Sequence, residues 1–133
     1  MFEQLRSRRH PTAEMPLPRP SGPPDWLPRA RRLPPGRGPR LAWRTDEGEI
    51  ATHPIERGWT RIGRSATADL RLDDPSVSRR HALVVAEPGK RLRVLDDRSL
   101  NGVLINGERV EWGALGDGDE LAIGRYKLYV LER

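Results

Sequence analysis

Proline is concentrated at the N-terminal end of the chain, and this confines any regular fold to the rest of it. Ten of the thirteen prolines lie in residues 1–40, where PLPRPSGPP and RRLPPGRGPR are the densest blocks. Because proline fixes φ and lacks an N–H, neither a helix nor a sheet ladder propagates through such a stretch. Few apolar residues are present there to offset the entropy of ordering. We therefore predict a disordered Pro/Arg-rich tail over residues 1–40 and a folded domain over residues 41–133.

The net charge of +5 at pH 7 belongs to that tail. Residues 1–40 hold nine Arg against three acids, whereas residues 41–133 hold fifteen basic and sixteen acidic side chains. A basic tail could bind nucleic acid or an anionic membrane nonspecifically, with a steep dependence on salt. A solvated linker and a PxxP ligand are the other interpretations that stay open. The folded domain, which is nearly neutral, gives no indication of a specific nucleic-acid partner.

The folded domain alternates short apolar runs with turn signals every 8–12 residues. HALVVAE and KRLRVLDD flank Pro88-Gly89, which predicts an antiparallel pair at residues 81–86 and 91–96. ELAIG and KLYVLE have apolar residues at period two, and no window holds a 3.6-residue apolar period beyond two turns. We therefore predict an all-β domain of two packed, mainly antiparallel sheets, a fitting architecture for about 90 residues.

Several kinds of site and location are excluded or disfavoured by the same sequence. The chain has no cysteine, so it has no disulfide and no Cys-based metal site, which suits a cytoplasmic location. No apolar run approaches the roughly 18–20 residues of a membrane span. The acids at 73–75, 95–98 and 116–120 lack the calcium-loop pattern, so we expect turns there and neither a metal nor a cofactor. The preference for Arg over Lys suggests a GC-rich, bacterial coding sequence.

Loops at one end of a sandwich usually supply its function, and four polar side chains are candidates there. Arg64 follows Gly63 at a strand end and offers five donors suited to a phosphate or carboxylate. Ser78 adds a hydroxyl and Arg79 a second cation. The carboxamide of Asn101 can donate and accept, which suits clamping a peptide backbone. Together they predict a receptor for an anionic group on an extended chain, against the simpler interpretation of solvated loop residues.

An ordered set of motifs resembles the forkhead-associated (FHA) domain over about residues 50–131. The motifs are Gly63-Arg64, Ser78-x-x-His81, Ser99-x-Asn101-Gly102, Asn106-Gly107, Leu115 with Asp117-Gly118-Asp119, and Ile123-Gly124. The resemblance implies a β-sandwich of about eleven strands that binds phosphothreonine peptides through the loops at one end. It implies a module in Ser/Thr kinase signalling, whose partner is a Thr-phosphorylated protein or peptide, such as a kinase or its substrate.

The resemblance also implies a role for each matching residue. Arg64 and Ser78 match the pair that holds the phosphate, and Arg79 matches a position that often adds a contact to it. Asn101 matches the asparagine that hydrogen-bonds the peptide main chain beside the phosphothreonine. The residues that match framework positions shaping the site are Gly63, His81, Ser99 and Gly102.

Two positions bear on peptide specificity. Many members have Thr or Ser where this chain has Leu100, so one hydroxyl contact is missing or passes to a backbone N–H. Losing one ordinary hydrogen bond would weaken binding by about 0.5–1.5 kcal/mol. Ser76 matches a position that in some members helps read the third residue after the phosphothreonine, and a small Ser predicts no strong charge preference.

Alternatives to this interpretation remain. A phosphate-independent interaction scaffold is the main one, motivated by Leu100. An enzyme is disfavoured, because Ser78 and His81 have no evident orienting group or oxyanion site. Ser7, Thr12 and Ser21 are available for phosphorylation, and a phosphorylated tail could fold back onto its own site.

Two further features are assigned to structure. Asn106-Gly107 between VLI and ERV predicts a two-residue type I′ hairpin. Trp43, Trp59 and Trp112 are not interleaved with a basic run, so we expect core or edge packing rather than stacking on nucleic-acid bases.

Overall fold

The computed structural model describes residues 11–16, 22–34 and 38–133. The expectation of a disordered tail over residues 1–10, 17–21 and 35–37 lies outside the described residues. Within the described part, regular structure consists of α1 (Leu27–Arg31), β1 (Arg40–Arg44), β2 (Ile50–Pro54), β3 (Gly58–Gly63), β4 (Leu70–Arg71), β5 (Ala82–Ala86), β6 (Leu92–Asp96), β7 (Val103–Ile105), β8 (Glu108–Val110), β9 (Trp112–Leu115), β10 (Glu120–Ile123) and β11 (Tyr126–Leu131).

The strands form two sheets. The six-stranded sheet has the order β2-β1-β11-β10-β7-β8, and the five-stranded sheet has the order β4-β3-β5-β6-β9. The described pairs are antiparallel except for β3 with β4, which run parallel. The pair predicted at residues 81–86 and 91–96 is β5 with β6, where Leu83 lies opposite Leu95. The prediction of an all-β sandwich of about eleven strands is confirmed.

The inward faces of the two sheets share one apolar core. Ile62 from the five-stranded sheet and Leu121 and Leu128 from the six-stranded sheet belong to it, and all three side chains are fully buried. Burying a Leu or Ile side chain stabilises a fold by about 1.5–3 kcal/mol. This core holds the strand ends in fixed positions, and the loops of the candidate site start from those ends.

Part of the proline-rich stretch packs on the six-stranded sheet. In α1 the side chains of Leu27 and Ala30 are buried in a second apolar cluster with Tyr129. The ring of Trp26 meets the Tyr129 ring edge to face, with centroids 5.6 Å apart. Pro28 is accommodated because it lies in the first turn of the helix, where an N–H has no intrahelical partner.

A bidentate ion pair fixes the same helix. The two terminal nitrogens of Arg31 donate to the carboxylate oxygens of Asp117 at 2.9 and 2.8 Å. The contacts of residues 22–34 differ from the expectation of disorder, because the few apolar residues there share one side of a single helical turn. Average composition does not reveal such a local arrangement. The division into a tail over residues 1–40 and a domain over residues 41–133 stays a prediction.

The predicted hairpin is present between β7 and β8. Asn106 and Gly107 both have positive φ, at 51° and 86°, as a type I′ turn requires. The flanking residues Ile105 and Glu108 are paired, so the register matches a two-residue loop.

The three tryptophans of the β-sandwich differ in exposure. Trp43 is partly buried against the core, as expected. Trp59 and Trp112 are 62% and 66% exposed, so neither lies in the core. Trp112 is in the edge strand β9, and Trp59 is in the part of β3 that pairs with β5 alone, so edge packing stays the prediction for both. In β3 the buried side chains are Thr60 and Ile62, and strand alternation therefore turns Trp59 outward.

Candidate functional site

The loops of the five-stranded sheet converge at one end of the sandwich. The end of β3 and the start of β5 adjoin, and the end of β6 lies beside them, because these strands are antiparallel neighbours. An open cleft of about 610 Å³ lies at this end and is called the Arg64 cleft. Its lining residues are Pro11, Thr12, Arg64, Ser65, Thr67, Ser78, Arg79, Arg80, Asp97 and Arg98.

Arg64 is held at the base of the cleft, with only 9% of its surface exposed. Its Nε donates to the carbonyl of Val77 at 2.9 Å. Its backbone N–H donates to the carbonyl of Ser78 at 2.9 Å, which ties the end of β3 to the opposite loop. A methyl group on Gly63 would lie 2.2 Å from the Arg79 carbonyl oxygen, so only glycine permits this approach. The structure thus brings together two of the predicted pairs, Gly63-Arg64 and Ser78-Arg79.

His81 fixes the loop that carries Ser78. Its Nδ1 accepts a hydrogen bond from the Ser78 N–H at 3.0 Å. Its Nε2 therefore carries the proton and donates to the carbonyl of Gly102, 2.8 Å away. Complete burial lowers the pKa of His81, which favours this neutral form. The predicted framework residues His81 and Gly102 thus join two walls of the site.

Leu100 contacts Ser78 through its backbone. Its N–H donates to Oγ of Ser78 at 3.0 Å, while the Leu100 residue is 45% exposed. The position of the Ser78 hydroxyl oxygen is thereby fixed, while its O–H group can still donate one hydrogen bond. The Leu100 N–H is thus engaged within the protein, and the two alternatives expected for the ligand contact at this position stay predictions.

Asn101 lies beside the cleft and contacts two separate segments. Its Nδ2 donates to the carbonyl of Ser76 at 2.9 Å and to that of Ala13 at 2.7 Å. Its Oδ1 accepts from the N–H of Met15 at 3.2 Å. The predicted framework residue Ser99 supports this turn, since its Oγ accepts from the Gly102 N–H at 2.9 Å.

Ser76 uses its hydroxyl inside the protein. The hydroxyl donates to Asp74 at 2.6 Å and accepts from the Arg125 N–H at 2.9 Å. The residue is 8% exposed. Ser76 contributes to the site through its backbone carbonyl, which accepts a hydrogen bond from Asn101. Its hydroxyl is engaged within the protein, so the structure offers no free Ser76 hydroxyl to contact a peptide side chain.

The cleft concentrates positive charge. Arg79, Arg80 and Arg98 are exposed and line it together with Arg64, and Asp97 is the acid that offsets them there, 3.0 Å from Arg80. Burial, followed by the charge of Arg79, lowers the pKa of Arg64, although a guanidinium stays charged at neutral pH. An anion entering the cleft would relieve the repulsion among these cations.

Sequence reasoning missed the other polar residues of the lining. Arg98 has a positive φ of 63°, a backbone conformation that an arginine in the sequence does not predict. Arg80 follows Arg79 directly, and no motif in the sequence distinguishes it. Thr12 was named from sequence only as a residue available for phosphorylation, and the cleft residues absent from the sequence-based set are Pro11, Ser65, Thr67, Arg80, Asp97 and Arg98.

Two kinds of feature are absent from the described residues. Residues 11–16, 22–34 and 38–133 contain no helix with the length and apolarity that crossing a membrane demands. In the same residues no group of three or more His, Cys, Asp or Glu side chains could hold a metal ion.

Comparison with known proteins points to one family. The family profile described as "FHA domain" matches residues 60–124. Glycogen accumulation regulator GarA of Mycolicibacterium smegmatis is 42% identical over 77 residues, which are 58% of this chain and 48% of that protein. The chain therefore spans about half the length of this relative.

Solved structures agree with the sequence match. The FhaA FHA domain, solved in complex with the intracellular domain of Rv3910, is 33% identical with a TM-score of 0.63. The alignment covers 69% of this chain and 98% of that one. A structure from work on phosphothreonine-dependent FHA domain interactions is 31% identical with a TM-score of 0.64, covering 71% of this chain and 97% of that one.

Proposed function

The chain belongs to the FHA domain family, and on that premise we propose that it is a phosphothreonine-peptide binding module acting in Ser/Thr kinase signalling. The observation that carries the proposal is the grouping of Arg64, the Ser78 hydroxyl and Arg79 in one cleft, with the Asn101 carboxamide beside it. The proposal is for a binding module and not an enzyme. It includes a cytoplasmic location, because phosphothreonine is made by kinases that draw on cellular ATP.

The chemistry of the cleft suits a phosphate monoester on an extended peptide. Phosphothreonine has a charge of about −1.5 to −2 at pH 7 and three strong acceptor oxygens. Arg64 and Arg79 can supply charge-assisted hydrogen bonds, and the Ser78 proton adds a neutral one. Asn101 presents one donor and one acceptor to a main chain, which fixes the direction of the peptide as well as its place.

The proposal is tested by titrating a degenerate phosphothreonine peptide pool against the wild type and Arg64→Ala. We expect wild-type binding that Arg64→Ala weakens at least about 100-fold, because hydrogen bonds to charged groups are worth about 1.5–3 kcal/mol each. Arg57→Ala removes an exposed arginine outside the cleft lining and serves as the matched control. Absence of wild-type binding, or equal binding by wild type and Arg64→Ala, would contradict the proposal.

A second candidate function is a phosphate-independent interaction scaffold, which the exposure of Trp59 and Trp112 favours. Large exposed aromatic side chains are enriched at protein interfaces. A pulldown separates the two candidates. A partner retained by Arg64→Ala but released by Trp59→Ala would support the scaffold, and the reverse pattern would support the cleft.

A further inference from the structure

The outward face of the five-stranded sheet is apolar. Its inward residues, such as Val84 and Val94, belong to the core, so the alternate residues of β3, β5, β6 and β9 face outward in two rows that cross these strands in register. The first row consists of Trp59, Val85, Arg93 and Ala114. The second row consists of Arg61, Leu83, Leu95 and Trp112. The solvated side of an antiparallel sheet is ordinarily polar, whereas only the two arginines are polar here. We call these eight residues the Trp59–Trp112 face.

The two indoles leave much of the apolar surface of this face in solvent. The exposed fractions of Trp59 and Trp112 are 62% and 66%, and Leu100, in the loop after β6, is the next large apolar side chain among the described residues at 45%. Trp59 lies at the β3 end of the first row and Trp112 at the β9 end of the second, so the indoles occupy opposite corners. A contiguous exposed apolar patch of this kind marks an interaction surface.

The six-stranded sheet treats its own outward apolar residues differently. Ala42, Tyr129 and Leu131 face away from the main core and are buried beneath Leu27 and Ala30 of α1. The chain therefore covers one outward face with its own helix. The Trp59–Trp112 face is as apolar, yet both of its indoles remain exposed among the described residues.

We propose that the Trp59–Trp112 face is the interface of a symmetric homodimer, in which it packs on the same face of a second copy of this chain. The two-fold axis runs parallel to the strands, between β5 and β6, and turns the two five-stranded sheets face to face. Sheets packed in this way keep their strand directions within about 30° of each other. A two-fold contact requires a surface that is complementary to itself.

The apolar residues of the two rows meet this requirement. The axis places β3 opposite β9 of the second copy and β5 opposite β6, with each row on itself. Trp59 then lies opposite Ala114, so the largest side chain of the row meets the smallest one. In the second row Leu83 lies opposite Leu95. Each of these contacts occurs twice in the dimer because the axis relates the two copies.

The two arginines fit the same arrangement. Arg61 lies opposite Trp112 of the second copy, where a guanidinium over an indole forms a cation–π contact. Arg93 lies opposite Val85, and its charge is already paired with Glu87 of its own chain at 2.7 Å. An acidic partner would suit two uncompensated cations. With Arg93 paired, only the corner residue Arg61 needs a contact, and the indole provides it at the rim, without burying the charge.

The size of the face predicts a weak dimer. Four strands spaced about 4.8 Å apart and five residues long cover roughly 300 Å² of flat sheet. Stable complexes bury about 800 Å² per partner, so we expect a dissociation constant between about 10 µM and 1 mM. No residue of the face lines the Arg64 cleft, so both clefts stay open in the dimer. The inference therefore does not depend on the proposed function.

The test follows the full chain over concentrations between about 20 µM and 1 mM by sedimentation and by nitrogen-15 NMR of the indole N–H groups. We expect the sedimentation coefficient to rise with concentration from the value of a monomer to that of a dimer. The indole signals of Trp59 and Trp112 should shift along with it. Those of Trp26 and Trp43, which pack within the chain, should stay in place and serve as internal controls.

Substitutions on the face should weaken the dimer in a defined order. Trp112→Ala should raise the dissociation constant about 100-fold or more, because a large aromatic contact is lost twice. Arg61→Ala should raise it about tenfold, since two cation–π contacts are lost. Leu100→Ala and Arg44→Ala remove an exposed leucine and an exposed arginine outside the face and should leave it unchanged. Urea unfolding of each variant verifies that the fold is intact.

Three outcomes would overturn the proposal. A chain that stays monomeric up to about 1 mM has no such dimer. In that case a soluble paramagnetic agent that broadens the Trp59 and Trp112 signals would leave the face to another kind of partner, and signals protected from it would show that the chain covers its own face. Dimerisation that Trp112→Ala leaves intact would place the contact elsewhere on the molecule.

Discussion

Two Asn-Gly pairs lie five residues apart in RSLNGVLINGERV, and the fold uses them for different purposes. Asn101-Gly102, the cleft turn, follows β6 at the functional end of the sandwich. Asn106-Gly107, the hairpin turn, joins β7 to β8 at the other end of β7. The same dipeptide thus appears once in a candidate binding site and once in a purely structural connection.

The hairpin turn directs its asparagine into its own sheet. Oδ1 of Asn106 accepts from the Glu120 N–H at 2.9 Å, and Nδ2 donates to Asp119 at 3.0 Å. Asn106 itself has the positive φ of 51°, so its own backbone carries the left-handed conformation. In the cleft turn the glycine has it, with φ of 86° at Gly102. Asn101 is freed from that role, and its side chain contacts Ser76 and the segment 11–16 instead.

The largest expected effect comes from Asn101→Asp. The substitution replaces the Nδ2 donor by a carboxylate oxygen beside the phosphate site, so it removes a hydrogen bond to the peptide and adds charge repulsion. We expect phosphopeptide affinity to fall about 100-fold or more, with a loss of about 1 kcal/mol in the free energy of unfolding. Phosphopeptide titration and urea unfolding measure the two quantities.

Asn106→Asp is the matched control for that prediction, since it makes the same chemical change in the hairpin turn. It should leave phosphopeptide affinity within about twofold, because Asn106 contacts Glu120 and Asp119 and not the cleft. Equal losses of affinity in the two variants would contradict the division of roles between the turns.

The second effect concerns stability. Asn106→Ala should lower the free energy of unfolding by about 2–3 kcal/mol, since alanine strains the positive φ and the two carboxamide hydrogen bonds are lost. Asn106→Gly keeps the backbone conformation and should lose less, about 1–2 kcal/mol. Urea unfolding of both variants tests the ranking, and an Asn106→Ala protein as stable as wild type would refute it.

The third effect is a pH dependence that acts through His81 on the cleft turn. Burial lowers the pKa of His81 below its unfolded value, so the unfolded chain binds this proton more readily than the folded one. The stability that neutral His81 contributes is fully present above about pH 6.5 and is lost as the pH falls from there through the folded pKa. The slope from this one group is at most about 1.4 kcal/mol per pH unit.

Two measurements check this pH dependence. Urea unfolding at intervals between pH 5 and pH 8 gives the slope, and NMR titration of the His81 ring gives its folded pKa. His53→Asn should leave the slope attributed to His81 unchanged. A His81 ring that titrates above 6.5 would reverse the sign and show that the neutral form is not the one that joins Ser78 to Gly102.

The sequence was sufficient for the architecture, and three of the residues it singled out, Arg64, Ser78 and Arg79, line one cleft. Their role in binding stays a prediction. Period-two alternation, Pro88-Gly89 and Asn106-Gly107 placed strands and turns, because these signals act locally. The residues Arg64 and Ser78 were identified through the ordered FHA motifs. They lie close together in space because β3 and β5 are neighbours.

The features that sequence reasoning missed depend on long-range contacts. The sequence around Trp26 and Leu27 does not show that these residues pack against Tyr129, which lies about 100 residues later in the chain. The contact between Thr12 and Arg64 spans 52 residues and needs the finished cleft. Exposure of Trp59 follows from which face of β3 meets the core, and composition does not determine that.

The smallest expected effect tests the residue beside Asn101. Leu100 contributes only its backbone N–H to Ser78, and its side chain has no polar atom to offer a ligand. Leu100→Thr should raise phosphopeptide affinity by about two- to tenfold, the equivalent of one added hydrogen bond of 0.5–1.5 kcal/mol. Leu100→Val has the same β-branched shape without a hydroxyl and should give no gain. If both variants gained equally, the improvement would come from backbone restriction in the cleft turn, and the hydroxyl missing at Leu100 would not be what limits affinity.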